Sequence, residues 1–179
     1  MIRLLGKIPD TVYVAVSGGS DSMAALDFLN NGKREVAAIY FNHKTAHGED
    51  AKRFVRDYCM RKCIPLIDGK IRREKKKVES LEEYWRNERY LFFKEQAAPV
   101  VTAHHLDDVV EWWVYSCLHG EGQLIPYENE KYGVIRPFLT TTKEDLTMWN
   151  KNGQPRRADQ MKLYATKYRK NPIKQAKAG

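Results

Sequence analysis

Three short stretches hold side chains whose types and spacing could do chemistry. The first is "SGGSDS", Ser17 to Ser22, where two glycines and three hydroxyls interrupt an apolar run before apolar spacing resumes. A strand that leads into a helix at such a point gathers backbone N–H groups without intrahelical partners at the positive end of a helix dipole, an environment suited to an anion. Gly18 and Gly19 permit close backbone approach and φ > 0, while Ser17, Ser20 and Ser22 offer hydroxyl donors to phosphate oxygens. No lysine follows as a GxxxxGK[ST] loop requires, so this is a phosphate site of another kind. Asp21 would repel bound phosphates unless a divalent cation or an ammonium group lies between them.

The second stretch is "TAHHLDDVVE", Thr102 to Glu111, which puts His104 and His105 at a strand end and Asp107, Asp108 and Glu111 in the first turns of the next helix. Spacings of three and four set Glu111 beside both aspartates. Carboxylates there can complement the helix dipole or hold a hard, oxygen-loving cation. The third is "EEYWRNERY", with Arg86 and Arg89 three residues apart on one helix face, a spacing that on its own suits a salt-bridged surface helix. Trp112 and Trp113, mid-helix after Glu111, are expected in the core.

These groups need elements to position them. "TVYVAVSG" is β-rich, "SDSMAALDFLNNG" has helical spacing, and "EVAAIYFNH" is again strand-like, which makes a βαβ unit. A helix follows at "EDAKRFVRDYCMRKC", with Phe54, Val55, Tyr58 and Cys59 inward, then a strand at "IPLIDGKI". Ser80 and Glu83 have capping-box spacing before "YWRNERYLFFKEQ"; "PVVTAHH" reads as a short buried strand and "LDDVVEWWVYSCLHG" as a helix stopped at Gly120. "YGVIRPF" supplies a last strand, and Thr141 with Glu144 a second capping box ahead of "KEDLTMWNKNG". The alternation predicts an α/β fold: a doubly wound, mostly parallel five-stranded sheet with helices on both faces, ligands at the carboxyl ends of the strands, and a basic helical C-terminal tail. Composition shifts at Gly153, dividing a main domain over 1–152, which carries the glycine loop, from an extension over 153–179.

The chain has 179 residues, 42% hydrophobic and 30% charged, enough for one core. No apolar stretch approaches the roughly 20 residues needed to span a membrane, and the expectation is a cytoplasmic protein. Cys59, Cys63 and Cys117 form no CxxC pair and are expected as free, buried thiols. Net charge is +8, and residues 151–179 alone hold nine Lys/Arg against Asp159. A second basic cluster, "KIRREKKK", contains Lys70, Arg72, Arg73, Lys75, Lys76 and Lys77. Together with Arg156, Arg157, Lys167, Arg169, Lys170 and Lys174, these are candidate contacts for a nucleic acid.

"SGGSDS" after "VYVAV" resembles the signature of the PP-loop ATP pyrophosphatases. Within them, "FNH" (Phe41 to His43), "FVRDYC" with "CIP", "EEYWRNERY", "TAHHLDDVVE" and "RPFL" resemble the N-terminal domain of the tRNA(Ile)-lysidine synthetases, over roughly residues 12 to 149. The resemblance implies an adenine-nucleotide alpha hydrolase-like fold. It also implies a ligase that uses ATP and Mg²⁺ to adenylate the wobble cytidine of tRNA(Ile) with a CAU anticodon, then joins free L-lysine with release of AMP. It implies that Ser17 to Ser22 and His104 hold the nucleotide, that Asp21, Asp108 and Glu111 bind magnesium and the lysine ammonium, and that Arg86 or Arg89 meets the α-phosphate. The chain departs from the family pattern at "KTAHGED", at His119, at Trp112 and around Asp159, so drift on the substrate side is expected. With the family's C-terminal domains not in evidence, the basic segments, a homodimer or an accessory tRNA-binding protein would grip the tRNA. Two alternatives are tRNA thiolation, which the cysteine spacing does not favour, and a tRNA-binding protein of this fold with impaired catalysis.

Overall fold

The computed structural model describes residues 1–45 and 48–151. The order is β1 (Thr11–Val16), α1 (Ser20–Asn30), β2 (Glu35–Asn42), α2 (Gly48–Arg61), β3 (Leu66–Lys70), α3 (Leu81–Lys94), β4 (Val100–Val101), α4 (Leu106–Leu118), β5 (Glu128–Asn129), a 3₁₀ turn at Glu130–Tyr132, β6 (Val134–Ile135) and α5 (Lys143–Lys151). The sheet runs β3-β2-β1-β4-β6-β5. All its pairings are parallel except β5 with β6. It therefore has six strands where five are expected. The extra strand is a two-residue edge laid back against β6, too short to leave a period-two signal in "ENEKYGVI".

Alternation along β1 explains how both faces of the sheet are covered. Val12, Val14 and Val16 point to a cluster that includes Leu26 of α1, Phe54 and Val55 of α2 and Leu146 of α5. Tyr13 and Ala15 pack on the opposite cluster, built from Tyr84, Tyr90, Phe92 and Phe93 of α3 with Phe41 and Val134. Asp27, buried inside α1, accepts hydrogen bonds from Tyr58 (2.7 Å), Trp149 (2.9 Å) and Asn31 (2.9 Å), with Lys62 3.4 Å away, and so ties α1 to α2 and α5.

Several expectations need correction. Trp112 and Trp113 are 37% and 48% exposed and belong to neither core cluster, because α3 already fills that face with aromatics. Ser116 is the only buried residue of α4. Cys59 is buried, but Cys63 and Cys117 are exposed. Ser80 caps α3 as expected, accepting from the Glu83 amide at 3.1 Å. The α5 cap falls one residue late: Thr142 accepts from the Asp145 amide (3.1 Å), while Thr141 is buried and bonded to the backbone of Arg3. The expected tail over 153–179 lies outside the described residues. No described helix is long and apolar enough to cross a membrane.

Candidate active site

The strand order reverses between β1 and β4, so the loops leaving them separate and open a crevice at their carboxyl ends. A cavity of about 490 Å³ occupies it. Ser17, Gly19, Asp21 and Ser22 line it from the loop after β1; Thr102, His104 and Asp108 from the segment after β4; Phe41 and His43 from the end of β2; and Arg89 and Tyr90 from α3. Two distant stretches of sequence thus meet in one pocket.

The loop after β1 is largely self-bonded. Ser22 Oγ donates to the Gly19 carbonyl (2.9 Å) and accepts from the Ser17 amide (3.2 Å), and the Gly19 amide donates to Ser17 Oγ (3.2 Å). Gly18 sits at φ +76°, where a side chain would be strained. The first α1 amides, of Ser20, Asp21 and Ser22, precede the first intrahelical bond, made by Met23 to Gly19 at 3.1 Å. These amides have no intrahelical partner and stand at the helix start where the spacing leads one to expect an anion. Ser20 Oγ instead donates to Asp21 (3.1 Å), and neither Gly18 nor Ser20 lines the cavity.

His105, passed over in the sequence reading as the partner of His104, organises the carboxylates. Its buried imidazole lies 3.8 Å from Asp21, 3.6 Å from Asp107 and 3.5 Å from Asp108, while its backbone amide donates to Asp108 at 2.8 Å. Asp107 is turned away to the Lys143 amide (2.8 Å), which fixes the start of α4 against α5. Glu111 is exposed one turn further and does not line the cavity. Among the described residues no three metal-ligating side chains converge into a cage. Asp21 and Asp108, facing the amides without intrahelical partners at the start of α1, nevertheless fit magnesium, which is commonly held by one or two carboxylates plus phosphate oxygens.

The opposite wall is cationic and desolvated. Arg89 lines the cavity, whereas Arg86 is exposed and does not, so Arg89 is the phosphate-facing candidate. Burial lowers the Arg89 pKa from its ordinary value. No carboxylate lies within ion-pair distance of it among the described residues. Burial, helped by the charge of Arg136, lowers the His104 pKa to about 4, and burial with the charge of Arg89 does the same for His43. Both imidazoles are therefore neutral near pH 7. Thr102 Oγ1 is 2.9 Å from His104 Nδ1. His43 lies between Phe41 and Trp85, with ring centroids 5.1 and 5.4 Å away, and its buried Nδ1 has no hydrogen-bond partner among the described residues. Only its place in "FNH" could have marked it.

The basic loop is partly neutralised. Arg73 pairs with Glu79 (2.7 Å) and Glu88 (2.8 Å), and Arg72 with Glu95 (2.7 Å). The Arg73 bond holds the Glu79 carboxyl down at about 2. Lys70, Lys75, Lys76 and Lys77 are exposed without a carboxylate partner among the described residues. The candidates Arg156, Arg157, Lys167, Arg169, Lys170 and Lys174 lie outside the described residues.

A doubly wound sheet with a lysine-free glycine loop at its switch point, faced by acids and by an arginine with no carboxylate partner among the described residues, defines an α/β nucleotide-binding protein. The chain belongs to the PP-loop domain family, which residues 5–176 match. It is similar to the tRNA(Ile)-lysidine synthase of Petrotoga mobilis, 28% identical over 183 residues, covering 92% of this chain and 58% of that protein. It is likewise similar to that of Bacillus subtilis, 33% identical over 170 residues, covering 84% of this chain and 36% of the relative. The chain thus spans little more than half, or less, of these relatives. In fold it resembles the NH3-dependent NAD synthetase of Campylobacter jejuni, with TM-score 0.53 and 15% identity, covering 80% of this chain and 63% of that one.

Proposed function

We propose that this protein is an ATP-dependent tRNA-modifying ligase of the lysidine-synthetase type. The observation that carries the reading is the meeting of Asp21 and Asp108 around His105, in a cavity whose other wall carries Arg89, which has no carboxylate partner among the described residues. The α1 amides and Ser17 hold the β- and γ-phosphates, and Arg89 faces the α-phosphate. The 2-oxygen of a cytidine attacks the α-phosphorus, the bond from that phosphorus to the bridging oxygen breaks, and pyrophosphate leaves with the electron pair. Arg89 stabilises the charge that develops, an effect strengthened by its partial burial at the cavity wall. Asp21 and Asp108 would hold magnesium, which would supply charge neutralisation at the phosphates. In the second half-reaction Asp108 orients the lysine ammonium and takes a proton from it. The amine then attacks C2, and the C2–O bond breaks to release AMP. Neutral His104 and His43 flank the nucleotide as hydrogen-bonding groups that add no charge. Lys70, Lys75, Lys76 and Lys77, with the basic extension, grip the tRNA backbone.

The test is incubation of the purified chain with bulk tRNA, ATP, Mg²⁺ and a mixture of amino acids, followed by nucleoside mass spectrometry. The expected result is AMP formation together with a cytidine gaining the mass of lysine minus water. Absence of both, or ATP turnover equal to that of Asp21→Ala, refutes the reading and leaves a binding module.

A further inference from the structure

Helix α4 presents two exposed faces of different chemistry. At 100° per residue, Asp108, Glu111, Trp112, Tyr115 and His119 fall on one side, while Leu106, Val110, Trp113, Val114 and Leu118 fall on the adjoining one. On the first side the rings form a ladder. Trp112 and Tyr115 stack with centroids 5.8 Å apart at 30°, and Tyr115 and His119 lie 4.3 Å apart at 35°. His119 Nδ1 sits 2.8 Å from the Tyr115 carbonyl, which places its proton on that nitrogen and holds the ring against the tyrosine. Yet Trp112 is 37% and Tyr115 55% exposed. The rings are ordered against one another while open to solvent.

We propose that the Trp112–Tyr115–His119 ladder is a stacking track for unpaired nucleobases of the RNA substrate, beside the base that enters the pocket. The inference rests on the RNA-directed reading above. Flat, polar-tipped rings accept any base face, and single-stranded loops are the RNA elements whose bases can splay onto them. The track begins on the face of Asp108, which lines the cavity. From there to Tyr115 and His119 is about 10 to 16 Å along the helix, the length of about three to five stacked nucleotides. Glu111 on the same face disfavours phosphates against the helix and so turns bases inward and backbone outward. The adjoining aliphatic side is the one that suits a protein.

The test measures binding of the full chain, without ATP, to a short RNA hairpin with an unpaired loop and to the fully paired duplex of the same composition. Trp112→Ala and Tyr115→Ala are each expected to weaken hairpin binding about tenfold while leaving duplex binding unchanged. Tyr115→Phe keeps the ring and retains affinity, and Val110→Ser on the adjoining side has no effect. Three results would overturn the proposal: hairpin affinity unchanged in both alanine variants, Tyr115→Phe as weak as Tyr115→Ala, or a dimer in light scattering that these variants convert to monomer. The last would assign the rings to a protein interface. Because binding is read without turnover, absence of AMP formation by the wild-type chain counts against the ligase reading alone.

Discussion

Replacing Arg89 by methionine separates catalysis from stability. The guanidinium is desolvated at the cavity wall and has no carboxylate within ion-pair distance among the described residues. Facing a phosphate at about 4 Å with an effective dielectric near 20, such a charge is worth about 4 kcal/mol, or roughly a thousandfold in rate. The exposed Arg86, in a dielectric near that of water, is worth about 1 kcal/mol, or roughly fivefold. Arg89→Met should therefore lower the turnover of pyrophosphate release by about 10²–10³, against about fivefold or less for Arg86→Met. The same change removes a partly buried charge that lies 5.7 Å from the Tyr90 ring and has no carboxylate partner among the described residues, so stability in urea should hold or rise by on the order of 1 kcal/mol. His43 should also titrate nearer its ordinary range in the variant, since the Arg89 charge contributes to its depression. Equal rate losses for the two arginines, or a clear loss of stability in Arg89→Met, would refute the reasoning.

Other outcomes follow from the same geometry. Asp27→Ala strands the Tyr58 hydroxyl and the Trp149 indole N–H. It should cost about 3–5 kcal/mol in urea unfolding, and a loss below about 1 kcal/mol would contradict the network. His43 and His104 sit at about 4 rather than 6.5, so between those values the unfolded chain binds more protons and stability falls as the pH drops. Discounted for partial exposure, the loss from about pH 7 to about pH 5 should be on the order of 2 kcal/mol, and an unchanged urea midpoint would argue against buried neutral histidines. Gly69→Ala would put a methyl 2.5 Å from the Phe92 ring, and should lower stability by about 1–3 kcal/mol in a thermal melt.

Much of the fold was legible because its elements repeat with clear periods. β1 and α2 bury the residues that alternation and helical spacing select, and the loop between β1 and α1 carries its glycine signal openly. What escaped depends on tertiary competition. Trp112 and Trp113 of α4 are expected in the core, yet its aromatic cluster is built largely from α3. The choice between Arg86 and Arg89 needed the crossing of α3 over the sheet, which three-residue spacing cannot convey. His105 was hidden for a similar reason, since its role appears only when the loop after β1 arrives beside it. The pairing of Arg72 and Arg73 with Glu79, Glu88 and Glu95 shows the same limit, because a run of charge does not display its distant partners.

The central place of β1 also bears on how the chain acquires its site. Val14 pairs with Ala38 on one side and with Val101 on the other. The first pairing closes a short βαβ loop, while the second waits until β2, α2, β3 and α3 have been made. Contacts of high sequence separation form late and slowly because the loop entropy must be met first. During synthesis, the glycine loop would emerge and dock on β2 well before the acids of α4 exist to face it. The nucleotide pocket is therefore a late product of folding, and chains released before β4 would carry half of it.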